Sequence, residues 1–138
     1  MILFIDDEPR YVRSYIEFLE DSGHEAHLET SIDEALRFFL ANQDQIGLVI
    51  LDVMLPPGEL FTAAETEDGL RTGVHLFKKL REESRQLPII ILANVSSKAV
   101  EDAFVNQPFC RFLRKVNTFP FELVQEVENM LQTGLSGD

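Results

Sequence analysis

Residues 2–9 read Ile2-Leu3-Phe4-Ile5-Asp6-Asp7-Glu8-Pro9: four apolar residues in succession, three acids, then a proline. A run this short and without alternation is a strand covered on both faces rather than an amphipathic helix. Strands of that kind belong to parallel sheets with helices on each side. The proline has a fixed φ and no N–H to lose, which suits the first turn of a helix. Strand, acids and helix start together make the first half of a βα unit.

The same grammar recurs along the chain. Leu48-Val49-Ile50-Leu51 is followed by Asp52, and Ile89-Ile90-Ile91-Leu92 is followed by Ala93-Asn94. Arg111-Phe112-Leu113 reads as a short fifth strand reaching Lys115, and His24 to Glu29 fills the remaining strand slot although it is short and polar. Between the runs lie helical patterns. Val12, Tyr15, Ile16 and Leu19 recur at helical spacing, after Pro9 and before Gly23. Ser31-Ile32-Asp33-Glu34 has the form of a capping box ahead of Ala35, Leu36, Phe39 and Leu40. A third helix is predicted after Gly73, with Val74, Phe77 and Leu80 on one stripe. A short fourth is predicted over Ser97 to Val105, and a last one opens at Pro120 and carries Leu123, Val127, Met130 and Leu131. Five βα repeats predict a doubly wound α/β domain. One connection breaks the pattern: Pro56 to Thr72, rich in Pro, Gly and acids, stands where about 2–6 residues are usual.

Length and charge narrow the functions open to such a domain. The 138 residues suffice for one core, so residues 1–138 are read as a single domain, and Thr133 to Asp138 leave no room for an output domain. Acids outnumber bases 24 to 12, for a net charge of −12. A surface that negative repels nucleic-acid phosphates and anionic lipid alike. The single cysteine, Cys110, excludes an internal disulfide. No signal peptide is visible before Asp6, and no apolar stretch approaches the roughly 20 residues that span a bilayer. The expectation is a cytoplasmic domain without direct nucleic-acid or membrane partners.

In an open α/β sheet the chemistry sits beyond the carboxyl ends of the strands. Those ends hold Asp6, Asp7 and Glu8, then Asp52, then Ala93-Asn94, then Lys115. If the first and third strands are neighbours, three carboxylates converge. Two like charges about 4 Å apart repel by roughly 4 kcal/mol at an effective dielectric near 20. Such a cluster holds a proton or a cation, and hard oxygen ligands suit Mg²⁺ (or Mn²⁺). A metal, a lysine and an exposed carboxylate are equipment for phosphoryl transfer, with the carboxylate as acceptor. The bland alternative is that Asp6 and Asp7 merely cap a helix and Asp52 a turn.

These residues carry a resemblance. Residues 2–9, Leu48-Val49-Ile50-Leu51-Asp52-Val53-Met54-Leu55-Pro56, Pro88-Ile89-Ile90-Ile91-Leu92 and Phe112-Leu113-Arg114-Lys115 are similar to the receiver domain of two-component response regulators. The resemblance implies a flavodoxin-like sheet of strand order 2-1-3-4-5. It further implies phosphorylation of Asp52 by a histidine kinase or phosphotransfer protein, with an unknown downstream protein receiving the signal. Asp7, Asp52 and the backbone carbonyl of Met54 would ligate Mg²⁺, Asp6 would complete the acidic pocket through water, and Lys115 would contact the phosphoryl group. Such a domain is a phosphoacceptor that at most catalyses its own modification.

The chain departs from the family pattern in three places. Ala93 stands where the family has the switch Thr or Ser, although Phe112 occupies the position of the switch aromatic. Val116 follows the lysine in place of the usual proline, which predicts a trans peptide, since a cis bond before a non-proline residue costs about 3–4 kcal/mol. The Pro56–Thr72 connection is longer than usual. The departures leave two readings open: a phosphorylatable stand-alone receiver, or a pseudo-receiver binding module that works without phosphorylation. An aspartyl-phosphate phosphohydrolase is disfavoured because Met54 stands where its second acid belongs. A flavin protein is disfavoured because Asp6-Asp7-Glu8 would repel the flavin phosphate. His24, His27 and His75 show no ligand spacing and are expected to be plain surface residues.

Overall fold

The computed structural model describes residues 1–95 and 97–136. Five strands, β1 (Ile2–Ile5), β2 (Ala26–Glu29), β3 (Leu48–Leu51), β4 (Ile89–Ala93) and β5 (Cys110–Arg114), alternate with five helices. The helices are α1 (Pro9–Asp21), α2 (Ile32–Ala41), α3 (Thr72–Glu83), α4 (Lys98–Asp102) and α5 (Pro120–Ser136). The strands form one sheet in the order β2-β1-β3-β4-β5, and every pair is parallel. The doubly wound, flavodoxin-like topology expected from the sequence is therefore the one observed.

The unbroken apolar runs are explained by the pleat. In β1, Leu3 and Ile5 point into a core shared with α2, α3 and α4, whereas Ile2 and Phe4 point into a second core with α1 and α5. The same alternation divides β3 and β4: Val49, Leu51, Ile89 and Ile91 face one way, Leu48, Ile50, Ile90 and Leu92 the other. All twelve of these side chains are buried, each worth about 1.5–3 kcal/mol relative to exposure. A polar residue on either face would be an error, so alternation is absent from the sequence. The two edge strands, β2 and β5, are only partly buried, and their more polar composition follows from that.

Helix boundaries obey local chemistry. Pro9 opens α1, and at its end Gly23 (φ +92°) and His24 donate to the Glu20 and Leu19 carbonyls, closing the last turn as a Schellman motif. Ser31 caps α2, its Oγ accepting the Glu34 N–H. Three expected boundaries move. α3 begins at Thr72, so Gly73 lies inside its first turn and the long connection ends at Arg71. α4 covers only Lys98–Asp102, because the chain turns out of the helix before the positive-φ residues Asn106 and Phe109 that flank Gln107-Pro108. α5 continues past Thr133 to Ser136, while Gly137 and Asp138 lie outside the described residues. Among the described residues no helix is long and apolar enough to cross a membrane.

The connection between β3 and α3 is folded down by specific bonds. The Asp33 carboxylate, on the first turn of α2, accepts the N–H groups of Glu59 (2.9 Å) and Leu60 (3.2 Å). Gly58 sits against it with φ +62°, where a Cβ would come within 2.6 Å of the carboxylate. At the other end, the Thr72 hydroxyl donates to the Leu55 carbonyl.

Candidate functional site

Sheet register builds the site. Ile5 pairs with Leu51, and the Asp52 N–H donates to the Ile5 carbonyl at 3.0 Å. Asp6 and Asp52, each one residue beyond its strand, are therefore held side by side at the sheet's carboxyl edge. On the other flank Ala93 pairs with Arg114, which brings Lys115 to the same edge. Asp6, Asp52 and Lys115 are all buried. The Lys115 ammonium lies 2.6 Å from Asp6 Oδ2 and 3.4 Å from Asp52 Oδ2.

The remaining carboxylate oxygens are also occupied. Asp52 Oδ1 accepts the Val53 N–H at 2.7 Å and the Met54 N–H at 3.4 Å. Asp6 Oδ1 accepts the Glu8 N–H at 2.9 Å, so Asp6 both shapes the start of α1 and pairs with the lysine. Asp7 is half-buried beside them. Asp7, Glu8, Tyr11, Asp52, Met54, Asn94 and Lys115 line a cleft of about 290 Å³ over the cluster. The Tyr11 ring centroid is 5.1 Å from the Lys115 ammonium, within cation–π range.

Burial sets the protonation of the cluster. It pushes the Asp52 carboxyl up to about 6, against the opposing pull of Lys115 and with the support of Asp6. Asp7 is also raised, first by burial and then by the charge of Asp6. For Lys115, burial works downward, but the hydrogen bond to Asp6 and the charges of Asp52 and Asp6 outweigh it and leave the ammonium more firmly protonated than usual. At neutral pH the site thus holds an ionised Asp52 beside a protonated lysine.

Asp6, Asp7 and Asp52 can each turn one oxygen to within 4.8 Å of the other two. This all-oxygen set, open to solvent through Asp7, fits a hard divalent cation such as Mg²⁺ that keeps part of its water. Met54, expected to contribute its carbonyl, borders the cleft, and its side chain is exposed.

Ala93 is fully buried and packs in the core at the end of β4. Phe112 is half-buried, stacked 6.2 Å from Phe104 with the Arg114 guanidinium 5.8 Å from its ring. No cis peptide occurs among the described residues; Lys115–Asn117 forms a 3-10 turn instead.

Several contacts around the site were not visible in the sequence. Asn94 Oδ1 accepts the Val116 N–H at 3.0 Å, tying the β4–α4 loop to the β5–α5 loop beside the cleft. The Tyr15 hydroxyl donates to the Thr118 carbonyl at 2.7 Å and fixes the far end of the same turn. Gly73 packs so closely that a Cβ would stand 2.4 Å from Val53 Cα and 2.5 Å from the Asp52 carbonyl oxygen. The first turn of α3 is thereby pressed against the backbone that carries Asp52.

All three histidines are half-buried at the surface, each with local partners. His27 stacks on Phe38 (3.9 Å) and bonds Glu29 at 2.7 Å, while His75 bonds the Glu65 carbonyl at 2.8 Å. Neither belongs to the acid cluster.

Comparison with known proteins gives a consistent result. A family model described as the response regulator receiver domain matches residues 2–128. Among solved structures, the CheY-like receiver domain protein of Methanospirillum hungatei JF-1 superposes with a TM-score of 0.78 at 18% identity, covering 99% of this chain and 97% of that one. A receiver domain protein of Clostridium thermocellum gives 0.75 at 23% identity (99% and 98% covered). The receiver domain of NtrX from Brucella abortus gives 0.73 at 22% identity (96% and 99% covered). At these identities the likeness speaks for the fold. A search of curated proteins found no match.

Proposed function

The chain belongs to the response regulator receiver family, and from that premise we propose that it takes a phosphoryl group on Asp52 from a histidine kinase or phosphotransfer protein. The observation that carries this reading is the placement of Asp52: a buried but ionised carboxylate, 3.4 Å from an ammonium, at the floor of a cleft open to solvent.

In the proposed reaction an Asp52 carboxylate oxygen attacks phosphorus in line. The P–N bond of the donor phosphohistidine breaks, and the imidazole leaves with its electron pair. Lys115 neutralises phosphoryl oxygens and, through Asp6, stays fixed and charged. Asp7, Asp52 and the Met54 carbonyl would hold Mg²⁺, with Asp6 acting through water. The metal would offset charge on the transferring group. The N–H groups of Val53 and Met54 hold Asp52 Oδ1, while Oδ2 faces the Lys115 ammonium. The modified domain would act in the cytoplasm through protein contacts on α4, β5 and α5 with a downstream protein.

Ala93 favours a second reading. No hydroxyl at this position can follow the phosphoryl group, and a hydrogen bond to a charged group contributes about 1.5–3 kcal/mol. Coupling of Asp52 to α4 through residue 93 is therefore lost, which suits a pseudo-receiver that binds its partner without phosphorylation. Phe112 could still carry a switch, but it would have to leave its stack on Phe104.

Intact-mass analysis after incubation with acetyl phosphate and Mg²⁺ separates the readings. The expected result is one phosphoryl adduct on the wild type and none on Asp52→Ala. No adduct on either would favour the pseudo-receiver, and an adduct that persists in Asp52→Ala would sink the assignment of the acceptor.

A further inference from the structure

Alongside α3, facing the turn that follows α4, lies a groove of about 820 Å³, larger than the cleft at Asp52. Four of the chain's twelve basic residues, Arg71, Lys78, Arg81 and Arg85, line it, against one carboxylate, Glu82. On a molecule of net charge −12 this is a concentrated reversal of sign.

The basic charge is largely uncompensated. Arg71 lies 3.7 Å from Glu67, but Lys78, Arg81 and Arg85 have no ion-pair partner among the described residues. Arg81 is rigidly held: Nη1 donates to the Ser84 and Leu87 carbonyls, Nη2 to those of Pro108 and Phe109, and the guanidinium stands 5.2 Å from the Phe77 ring. Its Nε is buried without a partner. A cation satisfied only by neutral carbonyls keeps its net charge, and Arg81 lines the groove together with Phe77 and Ala103.

Arg71 is the cap before α3, Lys78 lies in its middle and Arg85 follows the extended residue Ser84 that ends it, so basic groups are spread along the whole length of a helix of about 18 Å. A second helix of about that length, laid alongside α3, would reach all three. We propose that the groove docks an acidic amphipathic helix of a partner protein. Its carboxylates would meet Lys78 and Arg85, and its apolar side chains would lie against Ala103 and the edge of the groove beside the buried Phe77. A nucleic acid fits less well, because its phosphates would run beyond the groove onto a surface of opposite preference.

The test is fluorescence anisotropy with a labelled helical peptide that carries Glu at every seventh position beside a leucine face. A scrambled peptide of the same composition and a labelled oligothymidylate serve as competing probes. The patterned peptide is expected to bind the wild type in preference to both, to weaken at least about tenfold on K78E/R85E, and to weaken with added salt. Equal affinity for the variant, no binding to the wild type, or preference for the oligothymidylate would each overturn the proposal. So would self-association in sedimentation that K78E/R85E abolishes, since that would assign the groove to a second copy. Neither substituted residue lines the Asp52 cleft. Acetyl phosphate labelling of the same variant therefore reports separately on the phosphoacceptor reading.

Discussion

Replacing Lys115 with methionine keeps most of the side chain's volume and removes its charge from between two buried carboxylates. At an effective dielectric near 20, the contacts at 2.6 and 3.4 Å amount to about 6 and about 5 kcal/mol of gross attraction. Much of that is offset by the cost of burying the ammonium, and breaking a buried pair costs about 3–5 kcal/mol net. The loss must depend on pH. Without the lysine, Asp6 and Asp52 still face each other, and one must take up a proton. Asp52, which already titrates near 6 with the lysine in place, is the group that does so at a higher pH. A carboxyl whose pKa is higher in the folded than in the unfolded chain binds protons preferentially in the folded state. The variant therefore gains stability as pH falls toward the unfolded value and loses it as pH rises. Urea unfolding followed by circular dichroism, with EDTA present, should show Lys115→Met destabilised by about 3–5 kcal/mol near pH 8 and by clearly less near pH 5. A deficit under about 1 kcal/mol, or an equal deficit at both pH values, would refute the claim that the ammonium is what holds this cluster ionised.

Other consequences can be checked more simply. Gly73→Ala forces a methyl group to within 2.5 Å of the Asp52 and Val53 backbone; overpacking of this kind costs about 1–3 kcal/mol, so the urea midpoint should fall and acetyl phosphate labelling should slow, and an unchanged midpoint would show that α3 can shift freely. Asp33→Ala removes the acceptor for Glu59 and Leu60, so cleavage by a glutamate-specific protease within residues 56–71 should accelerate while the global midpoint changes by less than about 1 kcal/mol. Burial pushes the Cys110 thiol up to about 11, so labelling by iodoacetamide near pH 8 should be many times slower in native protein than in urea; similar rates would mean that the start of β5 opens readily.

What the sequence disclosed followed from how local the signal was. β1 and β3 were legible to the residue because Ile2–Ile5 and Leu48–Leu51 are bounded by acids and buried on both faces. The convergence of Asp6, Asp52 and Lys115 is expected from the strand ends only together with the strand order that the family resemblance implies. Missed were the contacts in which a side chain reaches a distant backbone group: Asp33 to Glu59, Asn94 to Val116, and Arg81 to Pro108. Such bonds impose no periodicity and need only one polar residue, which looks like any other polar residue on a helix or loop. Gly73 was read as a marker before a helix, whereas its lack of a Cβ serves the approach of α3 to β3. The extent of α4 was overestimated for a related reason: the apolar residues Val100 and Phe104 do reach the core, but the second does so from a turn.

The pairing of β1 with β3 has a kinetic corollary. In the unfolded chain Asp6 and Asp52 are separated by a long flexible span and scarcely feel each other; they crowd together only when Ile5 zips against Leu51. The sheet's centre must therefore close against mounting repulsion, so protons, divalent cations or the arrival of Lys115 should act as accelerants of that closure. A single residue inserted into β3 would spare the collapse of the chain yet turn Asp52 toward a helix, leaving a folded sheet whose rim keeps Asp6 and Asp7 but has lost its third carboxylate.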